Sequence, residues 1–185
     1  MRHVLSLLIN LMFVTSATCL GPGYKSALLS EMDYLLYRSP HISYSWGSTS
    51  VYDKHTSDCS GLFFAIGKRL GWGVSRTTAF EMEAGRGGWK NKSVKLEDAG
   101  ETTIVWWTWP IPEGSKKVKR THGHIGMLKI NPKSGLIEVV HNNLSKGLHQ
   151  EPLRGPLYDD ISSIKDLTIG EKDAVKLGPG VKQIK

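Results

Sequence analysis

The chain is 185 residues long, 39% hydrophobic and 22% charged, with a formal net charge of +7 and two cysteines. That length fits one domain with a sizeable core and gives no sign of a second. The positive balance suits an anionic partner such as a wall polymer, a membrane surface or nucleic acid. However, there is no zinc-finger spacing, no aromatic ribonucleoprotein motif and no long basic helix, which excludes the common modules of specific nucleic-acid recognition.

Arg2 and His3 precede an apolar run from Val4 to Val14 and then the small, polar Thr15-Ser16-Ala17-Thr18-Cys19. This is the layout of a secretory signal peptide over residues 1–19, cleaved after Ala17, and the run is too short for a transmembrane anchor. The expected location is therefore exported, periplasmic or secreted. Cys19 invites a lipoprotein reading, against which Thr18 counts. Lys25 to Tyr37 carries Leu28, Leu29, Met32, Leu35 and Leu36 at helical spacing, and Ser39-Pro40 ends it. His41 to Gly47 is a short extended piece leading into a polar loop.

The next stretch, Thr56 to Leu70, organises the rest. Thr56, Ser57 and Asp58 are helix-capping residue types, so a helix is predicted to begin at Cys59. Leu62, Phe63, Ile66 and Leu70 follow Cys59 at offsets of 3, 4, 7 and 11, which turns the sulfur toward the core. A thiol at the positive end of a helix is expected to have a lowered pKa. With Cys19 in or beside the leader, Cys59 lacks a disulfide partner, which is unusual for an exported protein. Catalysis would explain it, and so would a small buried hydrophobe.

Gly71-Trp72-Gly73 stops this helix, and Ser75 to Gly85 is read as a brief second one. Thr102 to Trp109 is a strand whose tryptophans at 106, 107 and 109 put aromatic bulk on both faces. Pro110 to Thr121 is a basic loop. Gly123–Ile130 and Leu136–His141 form a hairpin through Asn131 to Gly135. A four-residue loop would pair Ile130 with Gly135 and set His141 opposite His124, with their face covered by the Cys59 helix. Leu148 to Leu157 adds a further strand, Tyr158-Asp159-Asp160 a turn, and residues 168–185 a loose polar tail. No internal repeat is present.

A cysteine at a helix start, a histidine on a facing strand and a second polar ring behind it make up the parts of thiol acyl-transfer catalysis. Tyr44-Ser45-Trp46-Gly47, Asp58-Cys59-Ser60-Gly61-Leu62, Ser75-Arg76-Thr77-Thr78, Gly123-His124-Ile125-Gly126-Met127 and Val140-His141-Asn142 together resemble the NlpC-type family of bacterial cell-wall cysteine peptidases, over about Lys25 to Leu157. The resemblance implies an α+β, papain-like NlpC-type fold across residues 25–167, with N-terminal helices, one bearing the cysteine, packed on an antiparallel sheet. By it Cys59 is the nucleophile, His124 the base and acid, and His141 the residue that orients it. Tyr44, Trp46, Asp58, Ser60 and Arg76 would line the substrate site. The implied substrates are peptidoglycan stem peptides, cut between D-glutamate and a diamino acid by a monomeric enzyme with no metal and no cofactor, its basic surface facing anionic wall polymers. Where the family carries Gly-Asp-Leu before its histidine strand, this chain has Gly100-Glu101-Thr102, and its basic loop is longer.

Three alternatives stay open at this point. One is a thiol hydrolase or amidase of the same fold acting on a non-wall substrate, as an antibacterial toxin or acyl transferase. Another is a hydrolytic metal site built from His122, His124 and His141. The third is a wall-binding module without catalysis.

Overall fold

Leu28, Met32 and Leu35 fall on one helical face, and in the computed structural model that face of α1 (Tyr24–Tyr37) is buried in the core. The structure describes residues 24–100, 103–109, 122–131 and 134–168. The leader with Cys19, the basic loop at 110–121 and the tail from 169 lie outside the described residues. After α1, a short parallel pair of β1 (Ser43–Tyr44) and β2 (Thr56–Ser57) delivers the chain to α2 (Cys59–Arg69). The next helix, α3 (Ala79–Glu83), is shorter than its sequence segment. Thr78 fixes its start: the hydroxyl accepts from the Glu81 amide, and the Glu81 carboxylate accepts from the Thr78 amide in return.

The remaining elements are β3 (Asn91–Ser93), a 3₁₀ turn at Leu96–Asp98, β4 (Thr103–Trp109), β5 (His122–Ile130), β6 (Ile137–Asn143), β7 (Gly147–Pro152), α4 (Pro156–Asp159) and β8 (Ile161–Leu167). Six of the strands make one antiparallel sheet in the order β3-β8-β4-β5-β6-β7. The three N-terminal helices cover one face, where Leu62, Phe63 and Ile66 of α2 join Ile104, Trp106, Ile125, Met127 and Val140. The other face carries a second cluster of Val105, Trp107, Leu128 and Val139, closed over by Leu96, Leu157, Ile161 and Ile164. The protein is thus a mixed α+β domain with N-terminal helices on an antiparallel sheet. Among the described residues no helix is long and apolar enough to cross a membrane.

The hairpin register differs from the one expected. Ile130 pairs with Ile137 and Gly126 with His141, because the Asn131 amide donates to Leu136 and the connection is two residues longer. A slip of two keeps every side chain on its face, so His124 and His141 still share one, as diagonal neighbours. The expectation that α2 covers that face is overturned. α2 packs on the face of Ile125 and Met127, while His124 and His141 stand on the face of Trp107.

Of the six strands of the main sheet, β3 and β8 escaped the sequence reading. In β8 the apolar residues Ile161, Ile164 and Leu167 are three apart, which hides the alternation of a strand. The cause is a bulge: Trp106 pairs with Ser163 but Trp107 with Ile161, so Ile161 and Ile164 reach the same cluster despite their odd spacing. The expected turn at Tyr158 to Asp160 is mostly the short helix α4.

Candidate active site

Four donors converge on the Asp58 carboxylate and fix the turn that presents Cys59. Oδ1 accepts from the Gly61 amide at 2.5 Å and the Ser60 hydroxyl at 3.1 Å, while Oδ2 accepts from the Gly47 amide at 2.8 Å and Arg76 Nη2 at 2.5 Å. Arg76 Nη1 also donates to the Ser60 hydroxyl at 2.8 Å and to the Thr77 carbonyl. Gly61 completes the motif by close approach, since a Cβ there would lie 2.1 Å from the Ser48 carbonyl oxygen. Asp58, Ser60 and Arg76, expected at the substrate site, are therefore bonded to one another in the cap of α2. Of the other two expected there, Tyr44 is half-buried near the thiol and Trp46 stands 78% exposed.

The sulfur fills an open strand edge. The β4–β5 ladder runs on to Trp109–His122, whereas the β5–β6 ladder ends at Gly126–His141. Beyond that point Asn142 turns away to donate to the Ser57 carbonyl at 2.9 Å and the Ser57 hydroxyl at 2.7 Å. Among the described residues no strand pairs with this edge of β5 beside residues 123–125, and Cys59 enters there. Its Sγ lies 4.0 Å from the Gly123 carbonyl oxygen, and the Ile125 amide also interacts with it. The thiol thus rests against the peptide groups on either side of His124.

From His124 a row of rings runs across the sheet. His124 Nε2 is 2.8 Å from His141 Nδ1, and His141 Nε2 is 2.8 Å from Glu151 Oε1. His149, directly across from His141 on β7, brings its Nε2 to 3.2 Å from His141 Nε2 and 2.9 Å from Glu151 Oε1. The Trp107 ring covers the pair, with centroids 5.3 Å from His124 and 6.0 Å from His141. Gly126 makes room for this, because a Cβ there would lie 3.2 Å from both the Trp107 ring and His141 Cβ.

His149 and Glu151 were missed by sequence reasoning. Their signal was present as two polar residues two apart on a strand that the Asn143–Gly147 turn folds back onto His141. Of the metal alternative of His122, His124 and His141, the side chain of His122 lies outside the described residues; among the described residues the atoms that gather within ligand distance of one another are those of His141, His149 and Glu151.

Burial dominates the electrostatics. It pushes the Cys59 thiol from 9.0 up to about 11, with the Asp58 carboxylate adding to the rise against the Ser60 and Ile125 amides and Arg76. The expected lowering of the thiol pKa is therefore corrected, since loss of solvent outweighs the helix terminus. Burial lowers His124 to about 3, helped by His141 and His149, and lowers His141 to about 4 against the pull of Glu151. At neutral pH the resting site holds a thiol and neutral imidazoles, not an ion pair. Glu151 drops to about 2, because burial is outweighed by hydrogen bonds from Lys146, His149 and His141. Burial, Cys59 and Asp58 raise Tyr44 to about 12, which keeps its hydroxyl a donor.

No protein-family model and no curated protein matches the chain significantly. The functional reading accordingly rests on the site and its motifs. A buried thiol beside the backbone of a histidine that is tied to a second histidine has the components of nucleophilic acyl transfer.

Proposed function

We propose that the chain is an exported cysteine peptidase of the papain-like NlpC type, which hydrolyses amide bonds in peptidoglycan stem peptides. One observation carries this reading above the others: Cys59 opens α2 at the free edge of β5, against the peptide groups that flank His124, and His124 is held by His141 at 2.8 Å.

In the reaction the Cys59 sulfur attacks the amide carbonyl carbon while His124 takes the thiol proton. The charge that develops on the carbonyl oxygen is met by the Cys59 amide at the start of α2 and by the Tyr44 hydroxyl. His124 then returns the proton to the departing amine, leaving a thioester. Water attacks that thioester with His124 again as base, and the acid product leaves. His141, backed by Glu151, fixes the orientation of the His124 ring through both steps. The net charge of +7 supports an anionic polymer as the surrounding substrate.

The test is hydrolysis of purified muropeptides with mass spectrometry of the products. Cleavage by the natural chain and none by Cys59→Ala is the expected result. Equal inactivity of both overturns the reading, as does activity that survives iodoacetamide and is lost to a chelator.

A further inference from the structure

His141, His149 and Glu151 converge more tightly than orienting one imidazole requires. Their three facing atoms are 2.8, 2.9 and 3.2 Å apart. A tetrahedral zinc ion held at about 2.0–2.1 Å sets its ligand atoms about 3.3 Å from one another, so shifts of a few tenths of an ångström would seat one. The donor set, two imidazole nitrogens and one carboxylate oxygen, is one that zinc accepts while keeping a position for water.

Counting protons sharpens the case. The Gly147 carbonyl can only accept, so His149 Nδ1, 2.9 Å away, donates to it. His149 Nε2 is thereby turned toward Glu151 Oε1, 2.9 Å away. The proton on His141 Nε2 cannot fill both sides of the triangle. Lys146 pairs with the outer oxygen, Oε2, at 2.7 Å and leaves Oε1 facing the two rings. The triangle's side chains also leave an entry, since His141 is 2% exposed but His149 is 15% and Glu151 is 23% exposed.

We propose that His141, His149 and Glu151 form a binding site for one divalent transition-metal cation of the zinc class, and that its occupation shuts off the thiol site. The binding stands on the triangle alone; the shut-off rests on the peptidase reading. Without the ion, His141 Nε2–H donates to Glu151, so Nδ1 accepts from His124 Nε2–H and the lone pair of His124 sits on Nδ1, ready for the thiol proton. An ion on His141 Nε2 moves that proton to Nδ1, which then donates to His124 Nε2. The remaining proton of neutral His124 is forced onto Nδ1, and the base is lost. The histidine that orients the base is therefore also the one that disables it.

The test uses the full chain stripped with a chelator and titrated with zinc chloride by calorimetry, with cobalt(II) and its visible ligand-field absorption as a second probe. One ion per chain at micromolar affinity or tighter is expected. His149→Gln should weaken binding by at least about tenfold, and Glu151→Gln similarly, each protein first checked for a cooperative melt. Cys59→Ser should bind as the natural chain does. Muropeptide hydrolysis, expressed for each protein as its own ratio without and with zinc, should fall in the natural chain and be insensitive in His149→Gln. Absence of binding, or binding lost in Cys59→Ser and kept in His149→Gln, overturns the site. A stripped protein that is inactive until zinc is added overturns the shut-off together with the thiol reading. Zinc binding by a chain that cleaves no muropeptide in any form upholds the site and overturns only the peptidase assignment.

Discussion

His124 Nε2 and His141 Nδ1 lie 2.8 Å apart although the two residues are not cross-strand partners. His141 faces Gly126, which has no side chain to stand between them, and so its ring leans along the strand to His124. The contact is buried under Trp107, where an unpaired ring nitrogen is costly and the direction of one ring sets that of the next.

His141→Ala removes the hydrogen-bond partner of that nitrogen and leaves it buried. The expected result is a fall in kcat of about 10²–10⁴-fold with KM nearly unchanged, the pattern of a positioning residue. A loss of about 1–3 kcal/mol in stability should accompany it. His141→Asn, which keeps a polar group at the same position, should recover part of kcat. Steady-state kinetics on muropeptides with a parallel thermal melt separates the two effects, and a change confined to KM would count against the assigned role.

The thiol makes a prediction opposite to that of an ion-paired cysteine. Its pKa is raised from 9.0 to about 11, so alkylation of the free protein by iodoacetamide should be slow at neutral pH and should climb steadily toward pH 11. The same shift carries a stability signature. The unfolded chain loses this proton near 9 and the folded one near 11, so stability is fully present below 9 and declines as pH rises through 11. Mass spectrometry of Cys59 labelling across pH checks the first statement. A labelling rate already maximal at pH 6 would restore the ion pair.

Much of this site was legible because the decisive features are local. The capping residues before Cys59, its apolar stripe and the Gly-His-Ile-Gly strand each depend on a few neighbouring residues, and α2 and β5 form where their patterns place them. What failed was non-local. Which face of the sheet α2 covers depends on how all the layers stack, and periodicity along one strand assigns residues to a face without saying what lies over it. The hairpin register turned on a loop of six residues instead of four. β8 was hidden by a bulge that exists only through its pairing with β4. The thiol pKa failed for the same reason, since burial is a property of the assembled core and the helix terminus is visible in the sequence.

Asp58 tests whether the cap is structural. Asp58→Ala removes the N-cap of α2 and the partner of Arg76, whose side chain is 30% exposed and so only partly screened by water. A cost of about 2 kcal/mol is expected, or roughly 4–8 °C in Tm for a chain of this size. Asp58→Asn keeps the cap acceptor and should lose less. If Asp58 instead served the substrate, both variants would raise KM with Tm unchanged, so calorimetry and kinetics on the same preparations decide between the two.

Gly126 offers the sharpest link between packing and chemistry. A Cβ at this position would lie 2.6 Å from Val139 Cγ2 and 3.2 Å from the Trp107 ring and from His141 Cβ. Val139 is buried and β-branched, so it cannot rotate away freely, and the strain passes to Trp107 and His141. Gly126→Ala should cost about 1–3 kcal/mol and, by tilting the His141 ring, should lower kcat by about tenfold or more. Gly135→Ala supplies the control: its φ of 68° makes it comparably strained, yet nothing lies within 4 Å of the added carbon. That variant should lose about 1 kcal/mol in stability with kcat intact. If both variants lower kcat in proportion to their loss of Tm, general instability explains the effect; if only Gly126→Ala does, the close fit of Trp107 and His141 around this glycine is what keeps the base aligned.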